Sequence, residues 1–265
     1  MISPKVFTFF LALALSNSTR AAMTFAEDFS SLARGPNLVV TGGSETTIDY
    51  SGGTAKFTGA MSSGSTRAYL GTDLTFDLAV AFTAEIDVSV PDGSRGNGLA
   101  FFGFGTGQRG DSSVVDGAPS YYEPSTGPTA YLALLPSDFG NGVGSMIASA
   151  DLNSSILGGT SLVIPGSGLV GSGNHKLQMI YNGAGFLQFA YKKAGATGPG
   201  DPWVVASTID ISDNGFTNFN GKVFFGGSGD VTFDNLSVTG TLVPEPSVAS
   251  LFAIVSCAAL FRRRR

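Results

Sequence analysis

The chain is poor in the residues that most catalytic centres are built from. Its 265 residues include one cysteine, one histidine and one tryptophan, and only 13% are charged. The lone cysteine, Cys257, has no partner for an internal disulfide, so stability must come from buried area, which a chain of this length can supply. The lone histidine, His175, excludes a centre assembled from several imidazoles. It opens a strand pattern and reads as structural, and no nucleophile elbow accompanies it. Between the two ends no segment has the apolar period of a long amphipathic helix. No fixed-period repeat is present, which argues against a propeller or β-helix. Basic residues are also scarce. Residues 22–246 hold 9 basic and 20 acidic side chains, a formal charge of −11. Such a surface repels phosphate backbones and argues against a nucleic-acid partner. It suits neutral glycans, divalent cations or simple solubility. What the chain has in abundance is glycine, at 37, and phenylalanine, at 21.

The two ends differ from the body. Residues 1–22 read as a secretory signal peptide: Lys5 supplies positive charge, Val6 to Leu15 form an apolar stretch, and small residues follow to Ala21 and Ala22. Cleavage after Ala21 puts Thr19 at the −3 position, and cleavage after Ala22 puts Arg20 there. An N-terminal anchor is the competing reading, but the run is short against the ~20 residues of a spanning helix. Residues 243–265 carry Pro244, Glu245 and Pro246, then an apolar run, then Arg262, Arg263, Arg264 and Arg265. The run from Ser247 to Phe261 makes about 22 Å of helix at ~1.5 Å per residue. That is short for a ~30 Å hydrocarbon core, and snorkelling arginines cover part of the gap. The arginines hold their end in the cytoplasm and leave the body outside. This three-part tail resembles the PEP-CTERM sorting signal. The resemblance implies an exosortase-type processing enzyme as partner, a transient inner-membrane anchor, and a bacterium that makes extracellular polysaccharide.

The body, residues 23–242, reads as strands. In 82–90, Phe82, Ala84, Ile86, Val88 and Val90 share one face while Thr83, Glu85, Asp87 and Ser89 share the other. Further strands are expected at 54–58, 66–70, 97–105, 129–135, 144–150, 174–181, 186–192, 203–209, 221–227 and 230–239. Asn182-Gly183 followed by Ala184-Gly185 marks a hairpin. The glycine-rich stretch 158–173 reads as loop or edge strand. Many strands with turns about every ten residues mean an all-β sandwich or barrel.

The start Phe25 to Phe29 and the end Val231 to Val238 resemble the first and last strands of concanavalin A-like jelly rolls. Asn97 to Phe102 resembles the Asp-Gly-Leu-Ala-Phe-Phe stretch of L-type lectins, and His175 to Gly183 with Phe186 to Tyr191 resembles their later hairpin. The resemblance implies a single jelly-roll β-sandwich of two antiparallel sheets with adjacent terminal strands; the readings of the two ends add an N-terminal signal helix and a C-terminal transmembrane helix.

Each candidate site residue has a functional and a structural reading. Glu85-Ile86-Asp87-Val88 resembles the Glu-x-Asp-x-Glu strand of laminarinase-type glycoside hydrolases. Those enzymes need a second glutamate where this chain has Ser89, and serine cannot serve as the proton donor. No catalytic residue is therefore assigned, and a binding-only role or a solvated strand face remains. Asn97 stands where the lectin-like pattern has an aspartate that orients sugar hydroxyls; otherwise it enters a buried strand. Tyr121 and Tyr122, in the polar loop 105–128, and Trp203 are candidates for stacking on sugars, with core packing the alternative for Trp203. Asp230, Asp234 and Asn235 offer oxygens for a structural Ca2+, or else keep edge strands soluble. The expectation is an exported, non-catalytic, lectin-like polysaccharide-binding protein of the cell surface or extracellular matrix. A jelly-roll hydrolase or polysaccharide lyase and a purely structural envelope protein are the alternatives.

Overall fold

The computed structural model describes residues 22–59, 68–73, 75–76, 79–91, 99–105, 129–135, 145–152, 155–156, 173–211 and 221–241. The strands are β1 (Ala22–Glu27), β2 (Leu38–Gly42), β3 (Ile48–Asp49), β4 (Ala55–Phe57), β5 (Ala68–Thr72), β6 (Phe82–Val90), β7 (Leu99–Gly105), β8 (Thr129–Leu135), β9 (Ser145–Leu152), β10 (Ser155–Ile156), β11 (Gly173–Tyr181), β12 (Phe186–Lys192), β13 (Val204–Asp210), β14 (Lys222–Ser228) and β15 (Val231–Thr241). They make two sheets, paired antiparallel throughout. The first runs β13-β12-β11-β6-β15-β4-β3, with β1 also on β15; the second runs β10-β9-β8-β7-β14-β5-β2.

The alternation expected in 82–90 is present: every second residue of β6 is buried and those between are half-buried. The inward residues join one core with Phe57, Phe102, Phe104, Phe225 and Phe233. Their rings meet edge to face or tilted: Phe57 meets Phe233 edge-on at 5.5 Å and Phe225 edge-on at 6.1 Å, and Phe82 lies tilted on Phe104 at 4.9 Å. The hairpin expected at Asn182-Gly183 joins β11 to β12. Asn182 Oδ1 accepts from the Ala184 and Phe186 N–H groups, and Gly183 and Gly185 take positive φ.

The terminal strands are adjacent, with Ala22 opposite Thr241 and Glu27 opposite Leu236. The first strand lies earlier than the expected Phe25 to Phe29. Glu27 Oε1 accepts from the Phe29 N–H and Asp28 Oδ1 from the Ser30 N–H, which turns the chain and leaves Phe29 at φ 51°. Its ring enters the core against Tyr50 and Phe225. Strand β2 has no counterpart among the expected strands.

In the second sheet, β5, β7, β8 and β14 carry buried side chains on both faces. Ala68, Leu70, Phe102, Phe104, Ala130, Leu132, Val223 and Phe225 point into the shared core. Tyr69, Phe101, Tyr131 and Phe224 alternate with them and are buried on the opposite face. Registers set these four among glycines: Gly226 lies between Tyr69 and Phe101, and Gly103 between Phe224 and Tyr131. A Cβ on Gly103 would press on the Ala130 carbonyl and lie 2.7 Å from Phe224 Cζ. Glycine there is what lets the ring lie across the neighbouring strand.

Candidate functional site

The polar face of the first sheet holds the site. Cross-strand registers align Asp234 of β15, Asp87 of β6, Lys176 of β11 and Lys192 of β12 in one row. The next row sets Ser237 beside Glu85 and Glu85 beside Gln178; the row on the other side sets Thr232 beside Ser89 and Ser89 beside Asn174. Strand pairing, rather than sequence distance, therefore decides which charges meet.

Glu85 and Asp87, named from the sequence, are both committed to neighbours. Gln178 Nε2 donates to Glu85 Oε1 at 2.7 Å, and Lys176 Nζ lies 3.8 Å from Glu85 Oε2 and 3.5 Å from Asp87 Oδ1. Asn235 Nδ2 donates to Asp87 Oδ2 at 2.9 Å. Asn235 reaches that position because β15 carries a bulge between Asp234 and Ser237. In a regular strand Asn235 would follow outward Asp234 by facing the core. The bulge places it outside instead, at φ 50°, a conformation asparagine tolerates better than most residues. Burial pushes the Asp234 carboxyl above its ordinary pKa, the Asp87 and Asp28 charges add to this, and the Asn235 N–H, donating at 2.7 Å, opposes it.

A groove of about 460 Å³ opens at this end of the sheet. Asp87 and Ser89, Asn174 and Lys176, and Thr232, Asp234 and Asn235 line it from β6, β11 and β15; Thr54 and Thr197 close it from neighbouring turns. With Val88 and His175, the lining offers hydroxyl, amide, carboxylate, imidazole and one ammonium, a set that can both donate and accept. Ser89, where the hydrolase-like pattern calls for a glutamate, has Asn174 and Thr232 as its strand neighbours.

The chain shares this architecture with solved proteins. It is similar to the CBM2 module of an evolved Dit from Lactobacillus casei BL23 phage J-1, with 13% identity, a TM-score of 0.51, and coverage of 84% of this chain and 99% of that one. It is also similar to the lectin from Bauhinia forficata in complex with GalNAc, with 11% identity, a TM-score of 0.50 and the same coverage. The fold is a lectin-like jelly roll. No family model matches the chain, and no curated protein does.

In this lectin-like frame the remaining residues named from the sequence fall in different places. Trp203 precedes β13, at the far flank of the row. Lys192 Nζ sits 4.9 Å from the Trp203 ring centroid and donates to the Gly198 carbonyl at 2.8 Å. These contacts engage the ammonium of Lys192, the like-charged strand neighbour of Lys176. Asp230 is in the turn before β15, bonded to Lys56 at 3.1 Å, and does not line the groove that holds Asp234 and Asn235. Among the described residues no three His, Cys, Asp or Glu side chains group so as to hold a metal ion. His175 is buried and its Nδ1 accepts from the Ala194 N–H at 3.1 Å. Asn97, Tyr121, Tyr122, the sorting motif Pro244 to Pro246 with Arg262 to Arg265, and residues 1–21 lie outside the described residues. Sequence reasoning missed Lys176, Gln178, Asn174 and Thr232. Their polar alternation within β11 and β15 was visible, but their partners are set by register.

Proposed function

We propose that this chain is an exported, non-catalytic polysaccharide-binding protein of the cell surface or extracellular matrix, and that glycan lies in the groove across β6, β11 and β15. The groove's lining carries the reading: mixed donors and acceptors held on paired strands of a lectin-like fold. Sugar hydroxyls present both roles, and a volume near 460 Å³ is within the ~300–1,000 Å³ of small-ligand sites. The two similar solved proteins are named as a CBM2 module and as a lectin in complex with GalNAc, and the second supports the same class. Binding would proceed by shape and hydrogen bonding, with Glu85 and Asp87 held in place by Gln178, Lys176 and Asn235.

Residues 243–265 act in this reading as the exosortase-processed sorting signal and transient inner-membrane anchor, and residues 1–22 as the signal peptide. The pairing of Ala22 with Thr241 supports it, because both flanks then leave one end of the sandwich. Thr241 is roughly 20 Å along β15 from Asp234 at ~3.4 Å per residue, so an anchored domain would keep its groove clear of the membrane.

The test is binding of the full chain, purified in detergent, to a panel of polysaccharides with calcium and with chelator, while reducing ends are assayed. Saturable binding without released sugar is expected. Released reducing ends would make the chain a glycan-active enzyme. No binding to any glycan would leave a structural envelope protein.

A further inference from the structure

We infer that the groove takes a cationic glycan, a polymer of hexosamine with free protonated amino groups, and that Asp234 receives the ammonium. This rests on the groove being the glycan site. Of the titratable side chains that line it, Asp87 and Asp234 are acidic, Lys176 is basic, and His175 is buried with its Nδ1 accepting from the Ala194 N–H. Lys176 is shared between Glu85 and Asp87. Asp87 has both oxygens engaged, one by Lys176 and one by Asn235. Asp234 has the Asn235 N–H at 2.7 Å, and among the described residues no cation pairs with it.

Asp234 is also partly removed from water, faces Asp87 across the strand pair and feels the charge of Asp28, so its ionised form is disfavoured. A ligand that brings one positive charge and hydrogens to donate corrects this. A polyuronate would add a like charge, and a neutral sugar would leave the imbalance in place. A calcium ion wants six to eight oxygens. An ammonium asks less of the site, since one carboxylate and two hydroxyl or amide oxygens take its three donors. Serine, threonine and asparagine side chains around Asp234 are suited to the neighbouring sugar hydroxyls.

The experiment compares two β-1,4-linked oligomers of equal length, glucosamine and N-acetylglucosamine, on the detergent-purified full chain. Chelator is present, and the pH is mildly acidic so that the amine is protonated. The amine form should bind about tenfold more tightly or better, the equivalent of ~1.4 kcal/mol. Asp234→Asn should abolish the difference, so that the variant binds the two oligomers with equal affinity. Asp230→Asn removes the same charge from outside the groove and should leave the preference intact; thermal unfolding of both variants checks the fold. Equal affinities, or equal losses in the two variants, would overturn the inference as an effect of bulk charge. Binding of other, neutral glycans alone would sink this inference and spare the groove. Binding of none would remove both.

Discussion

On the outward face of β6 the side chains are Thr83, Glu85, Asp87 and Ser89, all half-buried, hydrogen-bonded or ion-paired where they carry charge. On the outward face of the other sheet, comparable positions hold Tyr69, Phe101, Tyr131 and Phe224, none more than 2% exposed. Tyr69 meets Phe101 at 5.7 Å and Phe224 at 6.4 Å, and Phe101 meets Tyr131 at 5.7 Å. The same pleated scaffold thus makes a polar lattice on one sheet and a second apolar layer on the other. Glycine makes the second possible, since Gly103 and Gly226 leave the space the rings occupy. Cross-strand polar pairing makes the first possible, since Glu85 and Asp87 find their partners on the neighbouring strands.

The largest effect should come from the apolar layer. Phe224→Ala should lower the unfolding free energy by about 3–5 kcal/mol in denaturant titration, as for any large ring removed from a core. A loss below about 1 kcal/mol would mean that this face is not part of the core. Gly103→Ala should cost about 1–3 kcal/mol, because the added methyl displaces Phe224 or the Ala130 carbonyl. On the polar face Lys176→Met should cost at most about 1 kcal/mol, and less at high salt, because its ion pairs are partly exposed.

Asp234→Asn should have the smallest effect, with a sign that depends on pH. The folded-state pKa of Asp234 is raised, so its charged form weakens the fold above that pKa, and the penalty fades as pH falls towards the ordinary carboxylate value. The groups facing it are Asp87 from β6, Asp28 from the end of β1 and the Asn235 N–H; Lys176 of β11 is on Asp87, and Lys56 of β4 is on Asp230. The variant should be slightly more stable than the parent at neutral pH, by well under about 1 kcal/mol given the exposure of the group. The two melting curves should converge in acid.

The same contrast explains what could be read from the sequence. Strand β6 was legible because one face is wet, so polar and apolar residues alternate. Strands β5 and β14 are buried almost throughout, and there periodicity shows a strand without showing which side chains face the shared core. The turn at Asn182-Gly183 was legible because its chemistry is local. The groove was only half legible. Glu85 and Asp87 stood out through a family-like pattern, while Lys176 and Gln178 become their partners only through the register of β6 on β11. The β15 bulge did leave a trace: Val231, Phe233, Leu236 and Val238 are buried, and the spacing of two widens to three at Asp234-Asn235. Asp230, grouped with those two by nearness in sequence, belongs to the Lys56 turn because a strand separates residues four apart by more than a side chain can span.

The most direct test of the polar face as the binding face is Ser89→Trp. Ser89 lines the groove on the outward side of β6, so an indole there fills the groove and leaves the inward core residues untouched. The measurement is the affinity of this variant, in the full chain with an unchanged melting temperature, for a glycan that the parent binds. A loss of tenfold or more is expected. Unchanged affinity would contradict the assignment and move the binding surface elsewhere on the domain.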